Sequence, residues 1–261
     1  MASERPSRQA FLGVSGLLFA ASAALTVLWC VSMAAAGGMP MPGGWTMSMA
    51  WMRMPDQTWA GAAAAFLGMW VVMMVAMMLP SLVPMLEGYR RAVGPGRRLG
   101  RLTALVGLGY FCVWTLFGAV VYPMGLALAE AEMRQPALAR AVPMAAGMVF
   151  LVTGALQFTP WKARHLACCR TPPGCARGLP ADPGTAWRHG LRLGLHCGQC
   201  CAGPMAILLV LGGMELRAMA GVAAAITVER LAPAGARIAR AIGAGSALAG
   251  LFLVVRALGT L

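Results

Sequence analysis

His196, Cys197, Cys200 and Cys201 stand together in the stretch Gly194-Leu195-His196-Cys197-Gly198-Gln199-Cys200-Cys201-Ala202-Gly203-Pro204-Met205, at the mouth of an apolar segment that runs on to Met214. On a helix advancing about 100° per residue these four side chains fan across roughly 140°, with Met205 at the edge of the arc. Two or three of them can therefore face one ion. Thiolate and thioether ligands select Cu(I) or Zn over hard cations, and Cu(I) accepts the low coordination numbers such a cluster offers. Copper as Cu(I) is the expected ligand, ahead of zinc. Buried Cys also serves as a small hydrophobe, but three Cys within five positions beside a His exceed what filling requires.

A second group, His165, Cys168, Cys169 and Cys175, lies in the basic stretch that begins Thr159-Pro160-Trp161-Lys162. It could close one site with the first group or pass an ion to it, and His189 could join. Nearby Arg and Lys lower thiol pKa values, which assists metal binding and would equally assist redox chemistry.

Methionine is the third signal, with 21 residues in the chain. Met33, Met39, Met41, Met47, Met49, Met52 and Met54 crowd one segment, and Met69, Met73, Met74, Met77 and Met78 crowd the next. In the latter, Met69, Met73 and Met77 form one i, i+4 stripe, and Met74 and Met78, with Met85 beyond them, form another. Thioethers stay neutral and can ligate Cu(I) in an oxidising compartment where thiols are lost, so these residues are a candidate metal relay. The alternative for the second segment is plastic apolar filler.

These ligands must be positioned by membrane helices. Of 261 residues 59% are hydrophobic and only 11% charged, more apolar surface than a water-soluble core of ordinary proportions can bury. Apolar runs near the ~20 residues needed to cross a bilayer cover 11–36, 59–86, 102–129, 138–159, 193–214 and 238–258, and a short seventh covers 216–228. The expectation is an all-α, polytopic helical membrane protein of six or seven transmembrane helices. It reads as a single domain over 1–261 with no separate soluble module. The first run resembles a signal peptide ending at Ala34-Ala35-Ala36, but its length favours a retained helix.

Twenty-one basic residues, nearly all Arg, oppose eight acidic ones and give a net charge of +13. The Arg residues alternate with the apolar runs, which identifies them as orientation signals rather than a nucleic-acid surface. Arg5 and Arg8, the loop from Arg90 to Arg101, and the loop from Lys162 to Arg192 fall on the cytoplasmic side, so the N-terminus and both Cys groups are expected there. A structural disulfide is disfavoured in that compartment. Glu87, Glu215 and Glu229 read as interfacial residues at helix ends. Gln157, inside the fourth run, needs a partner and is a candidate to support the metal ligands. Pro80 and Pro84 are expected to kink or end the second helix, and Gly190, Gly194 and Gly198 form a small-residue stripe for close helix approach.

The order of several motifs resembles the predicted metal-binding integral membrane protein family. It comprises Trp70-Val71-Val72-Met73-Met74-Val75-Ala76-Met77-Met78-Leu79-Pro80-Ser81, Gly109-Tyr110 with Trp114, Gln157-Phe158-Thr159-Pro160-Trp161-Lys162, Cys169-Arg170-Thr171-Pro172, Cys197-Gly198-Gln199-Cys200-Cys201 with Met205, and Glu229-Arg230-Leu231. The resemblance covers about 59–240. It implies a bacterial inner-membrane copper chaperone of the kind associated with maturing tyrosinase-type polyphenol oxidases, with a client copper enzyme as partner besides the metal ion and the lipid bilayer. By position, Met73, Met74, Met77, Met78, Cys169, Cys197, Cys200, Cys201 and Met205 match the family pattern. His165 stands where a Cys is expected, Ala202-Gly203-Pro204 replaces a bulkier triplet, and Glu215 replaces an Asn.

No catalytic triad, phosphate-binding loop or paired carboxylates are visible, so the sequence offers ligands and a non-enzymatic role. Two rivals share the residues: a copper permease using the Met-lined helix, and a membrane thiol-disulfide oxidoreductase using Cys197-Gly198-Gln199-Cys200.

Overall fold

The computed structural model describes residues 4–35, 37–48, 51, 57–170, 179–212 and 215–259. The protein is all-α, with helices α1 (Glu4–Ala35), α2 (Trp59–Val93), α3 (Leu99–Arg134), α4 (Pro136–Leu156), α5 (Pro160–Arg170), α6 (Pro183–Val210), α7 (Leu216–Leu231) and α8 (Gly235–Gly259). Six of these, α1, α2, α3, α4, α6 and α8, are long and apolar enough to cross a membrane. The seventh apolar run forms α7, whose 16 residues span only about 24 Å at 1.5 Å per residue.

Local signals explain the ends. Thr58 caps α2 by accepting from the Gly61 N–H, and Asp182 caps α6 by accepting from Thr185 with Pro183 in the first turn, where a proline's missing donor is harmless. Glu215 caps α7 in the same way through Ala218. Pro80 and Pro84 do not end α2, which continues to Val93.

Two elements depart from the expectation of helices joined by loops. Part of the Met-rich segment after α1 forms a hairpin of β1 (Gly38–Met41) and β2 (Trp45–Ser48), paired antiparallel with Met39 opposite Met47. Gly43 and Gly44 take positive φ at its turn, a conformation glycine adopts without strain. The hairpin buries Met41 and Met47 against Ala129 and Ala139, and the Trp45 indole donates to the Ala139 carbonyl at 2.9 Å. The basic stretch after α4 is also helical at its start, as α5, which packs on α6 and α7.

The main core runs between α2, α3, α6 and α7. Gly190, Gly194 and Gly198 let α6 lie directly on α3: a β-carbon at Gly190 would stand 2.3 Å from the Val106 carbonyl oxygen, and one at Gly194 2.9 Å from that of Tyr110. Because the obstacle at Gly190 is helix backbone, Gly190→Ala must part the two helices. We expect it to destabilise by about 1–3 kcal/mol or more, the range for overpacking, read as a lower thermal unfolding midpoint in detergent. An unchanged midpoint would show that the contact is not tight. The Trp70 indole locks α2 to α3 by donating to the Trp114 carbonyl at 2.8 Å, which fixes the Met stripes of α2 toward the core.

Candidate metal centre

Because α6 begins at Pro183, Cys197, Cys200 and Cys201 lie about half-way along the helix rather than at its mouth. All three are buried, facing α3, α5 and α7. From α5, Cys169 reaches the same place, its thiol donating to the His196 carbonyl at 3.5 Å. The two Cys groups of the sequence thus meet through Cys169.

The centre of the cluster is a cation. Arg230, near the end of α7 and 4% exposed, places Nη2 at 3.1 Å from Cys197 Sγ, 3.1 Å from Cys201 Sγ and 3.6 Å from Cys169 Sγ. Its Nη1 donates to Ser81 Oγ at 3.3 Å, and Ser81 in turn donates to the Met78 carbonyl on α2. Tyr110 of α3 closes the opposite side, with its hydroxyl 2.8 Å from Cys197 Sγ. Four helices therefore contribute polar groups around the thiols of α6.

A second cation adjoins the first. Lys162 of α5 donates to the Cys200 carbonyl at 2.8 Å, lies 3.9 Å from Cys200 Sγ, and stands 2.5 Å from Glu229 Oε1. Both partners of that ion pair are almost wholly buried. Glu229 is therefore buried inside the bundle rather than interfacial as its position in the sequence suggests, whereas Glu87 pairs with the exposed Arg8 and Glu215 caps α7. Burial pushes the Glu229 carboxyl up and Lys162 draws it back down, leaving it above its ordinary value. Burial opposes the charge of Arg230, but the facing thiols outweigh it and raise its pKa. The Cys169 thiol is also pushed up, first by its hydrogen bond with Cys200 and then by burial.

The remaining candidates divide. Met205 is buried in the same core, as are Met69, Met73, Met74, Met77 and Met78. His196 contributes its carbonyl, described above, and its half-buried ring lies at the edge of the arc. His165 turns to its own helix, with Nδ1 2.8 Å from the Trp161 carbonyl and its ring tilted against the Trp161 indole. His189 stacks on Tyr89, about two helical turns before Cys197. Gln157 caps the end of α4 rather than lying within it, and its buried Oε1 has no hydrogen-bond partner among the described residues. The Cys168 side chain and Cys175 lie outside the described residues, as do Met49, Met52 and Met54.

Among the described residues no three His, Cys, Asp or Glu side chains stand together in an arrangement ready to hold a metal ion. The guanidinium explains why. It occupies the space onto which the sulfurs converge and holds them at hydrogen-bond distance, whereas metal–sulfur bonds are shorter, about 2.3 Å for zinc.

Residue type alone does not mark Arg230, Lys162, Tyr110 and Ser81 as site residues. The signal available was the adjacent Glu229-Arg230 pair, ending an apolar segment too short to cross a bilayer alone and so bound to pack against longer helices.

No curated protein and no solved structure shows significant similarity to the chain. A family model of copper chaperones, PpoB2, matches residues 67–253, which take in α2 from its first Met stripe, the thiol cluster and both buried cations. That family's role is non-enzymatic handling of copper, the soft ion that the sulfurs of α5 and α6 suit best. The chain belongs to the PpoB2 copper chaperone family.

Proposed function

We propose that this protein is a single polytopic unit of the bacterial inner membrane that carries copper as Cu(I) on the Cys197, Cys201, Cys200 and Cys169 sulfurs and delivers it to a client copper enzyme. The observation that carries this reading is that sulfurs from α5 and α6 already converge on one cationic nitrogen. A cation among thiols favours the thiolate, the form that binds metal. Cu(I) on three thiolates has two surplus negative charges, and Arg230 and Lys162 are the buried cations beside them, with Glu229 offsetting one. On binding, the guanidinium withdraws toward Ser81, the sulfurs close in, and Arg230 remains as counter-charge.

The membrane setting is supported by the outward faces of the long helices, where Leu17, Leu108, Leu248 and Phe252 are each more than half exposed. In water such faces would drive aggregation. The positive loops orient the N-terminus and the approach to the thiols toward the cytoplasm. Helix α8 starts beside Arg170 and Glu229, on the side where the positive loops lie, which supports access to the thiols from the cytoplasmic side, with the hairpin toward the other. Between them run the buried Met stripes of α2, from Met69 to the turn before Ser81, about 18 Å along the helix. They form a route for Cu(I) from hairpin to thiols.

The direct test is anaerobic metal binding by the purified protein. We expect Cu(I) to be retained against a calibrated chelator while Mg and Mn are not, because the ligands are soft and no unpaired carboxylate lies among them. Retention of Mg or Mn in place of copper would end the reading. The route has its own test. Replacing Met73, Met74, Met77 and Met78 with Leu conserves volume and apolarity, so the fold and copper binding at the thiols should survive. Activity of a dependent copper enzyme in the same cells should fall several-fold. Undiminished client activity would reduce the stripes to packing.

A further inference from the structure

Away from the thiol cluster, between the last turns of α1, the first half of α2 and the start of α7, Cys30, Met219, Met69 and Met73 line one small crevice together with Thr26 and Trp29. The Cys30 thiol donates to Met219 Sδ at 3.8 Å, across a sequence separation of 189 residues. Cys30, Met219, Met69 and Met73 are all less than 9% exposed, and the Thr26 hydroxyl is turned back to the Ser22 carbonyl. We propose that these four sulfurs form a second Cu(I) site, an entry station distinct from the thiol cluster.

The chemistry favours Cu(I) in particular. One thiolate and neutral thioethers around a monovalent cation make a complex of no net charge, which a low-dielectric interior tolerates, whereas a divalent ion would leave surplus charge there. Binding releases the Cys30 proton, as thiol ligation requires, and no electron is transferred. The contrast with the thiol cluster is consistent: there several sulfurs gather beside two buried cations, here one Cys lies among thioethers with no cation lining the crevice. Met69 and Met73 also begin the stripe that continues through Met77 toward Ser81, so an ion held at Cys30 is already in contact with the head of the route.

This inference rests on the copper-delivery reading, and one titration separates the two. The full-length protein in detergent is titrated anaerobically with Cu(I) against a competing chelator, as wild type, Cys30→Ser, Met219→Leu and Cys197→Ser/Cys201→Ser. We expect Cys30→Ser to lose one equivalent of bound copper, Met219→Leu to weaken that equivalent by at least the ~10-fold that loss of even an outer-shell partner brings, and the double Ser variant to retain it. Met219→Leu conserves volume and guards against a fold defect in Cys30→Ser. If Cys30→Ser and Met219→Leu both bind as wild type while the double variant loses copper, the entry site is wrong and the delivery reading stands. If wild type binds no copper, both fall.

Discussion

Cys197→Ser/Cys201→Ser should lower Cu(I) affinity at the thiol cluster by more than about 100-fold, beyond the 10–100-fold that loss of an outer-shell partner typically brings. These two sulfurs stand nearest the Arg230 nitrogen and are at most 2% exposed, so solvent cannot take their place, and only Cys169 and Cys200 remain to hold the ion. Serine oxygen is a hard donor and a poor Cu(I) ligand. It remains a hydrogen-bond acceptor for Arg230, so the apo fold should persist and thermal unfolding without metal should change little. Cys200→Ser should cost less, because Cys200 lies nearer Lys162 than Arg230 and its carbonyl, kept in the variant, makes the shorter contact. Chelator competition on the three proteins ranks them, and equal affinities would mean that copper binds elsewhere.

The part of this arrangement that could be read in advance is the part carried by one helix. Cys197, Cys200 and Cys201 share a face by spacing alone, and the Gly190, Gly194 and Gly198 stripe announces the close approach to α3. The start of α6 is legible too, in Asp182-Pro183, but Arg188 and Arg192 lower the hydropathy of its first turns, so the apolar run begins only at Leu193 and the cluster reads as lying at a helix mouth. What hydropathy and charge counting conceal is the exception to their own rule. Cations beside apolar runs usually set orientation, and Lys162 reads that way, yet Lys162 and Arg230 are each 4% exposed. Their burial is made possible by partners distant in sequence: Glu229 for Lys162, and Ser81, Cys169, Cys197 and Cys201 for Arg230. No window along the chain contains such a set. The hairpin was hidden for a different reason: Met, Pro and Gly in alternation have no strong strand signature, and its formation depends on the groove between the end of α3 and the start of α4.

Arg230→Leu is expected to weaken Cu(I) binding by about 10- to 100-fold, the loss typical of removing a group that tunes ligands from outside, and the sign of this effect decides what the guanidinium is for. If Arg230 only blocked the pocket, its removal would free the sulfurs and binding would tighten. If it supplies the counter-charge that keeps thiolates and their copper complex tolerable in a buried place, binding weakens. Geometry favours the second outcome, because Glu229 is taken by Lys162 and the sulfurs are what the guanidinium fork faces, while an unpaired buried cation would be costly. Arg230→Lys should recover only part of the affinity, since one ammonium cannot reach Ser81 and two or three sulfurs with the span of a planar fork. Proton release separates charge from packing: with the counter-ion gone, the thiols enter binding more fully protonated, so more protons should leave per copper bound in Arg230→Leu than in wild type at the same pH. Weaker binding with unchanged proton release would assign Arg230 to packing, and tighter binding would make it a plug that copper must displace.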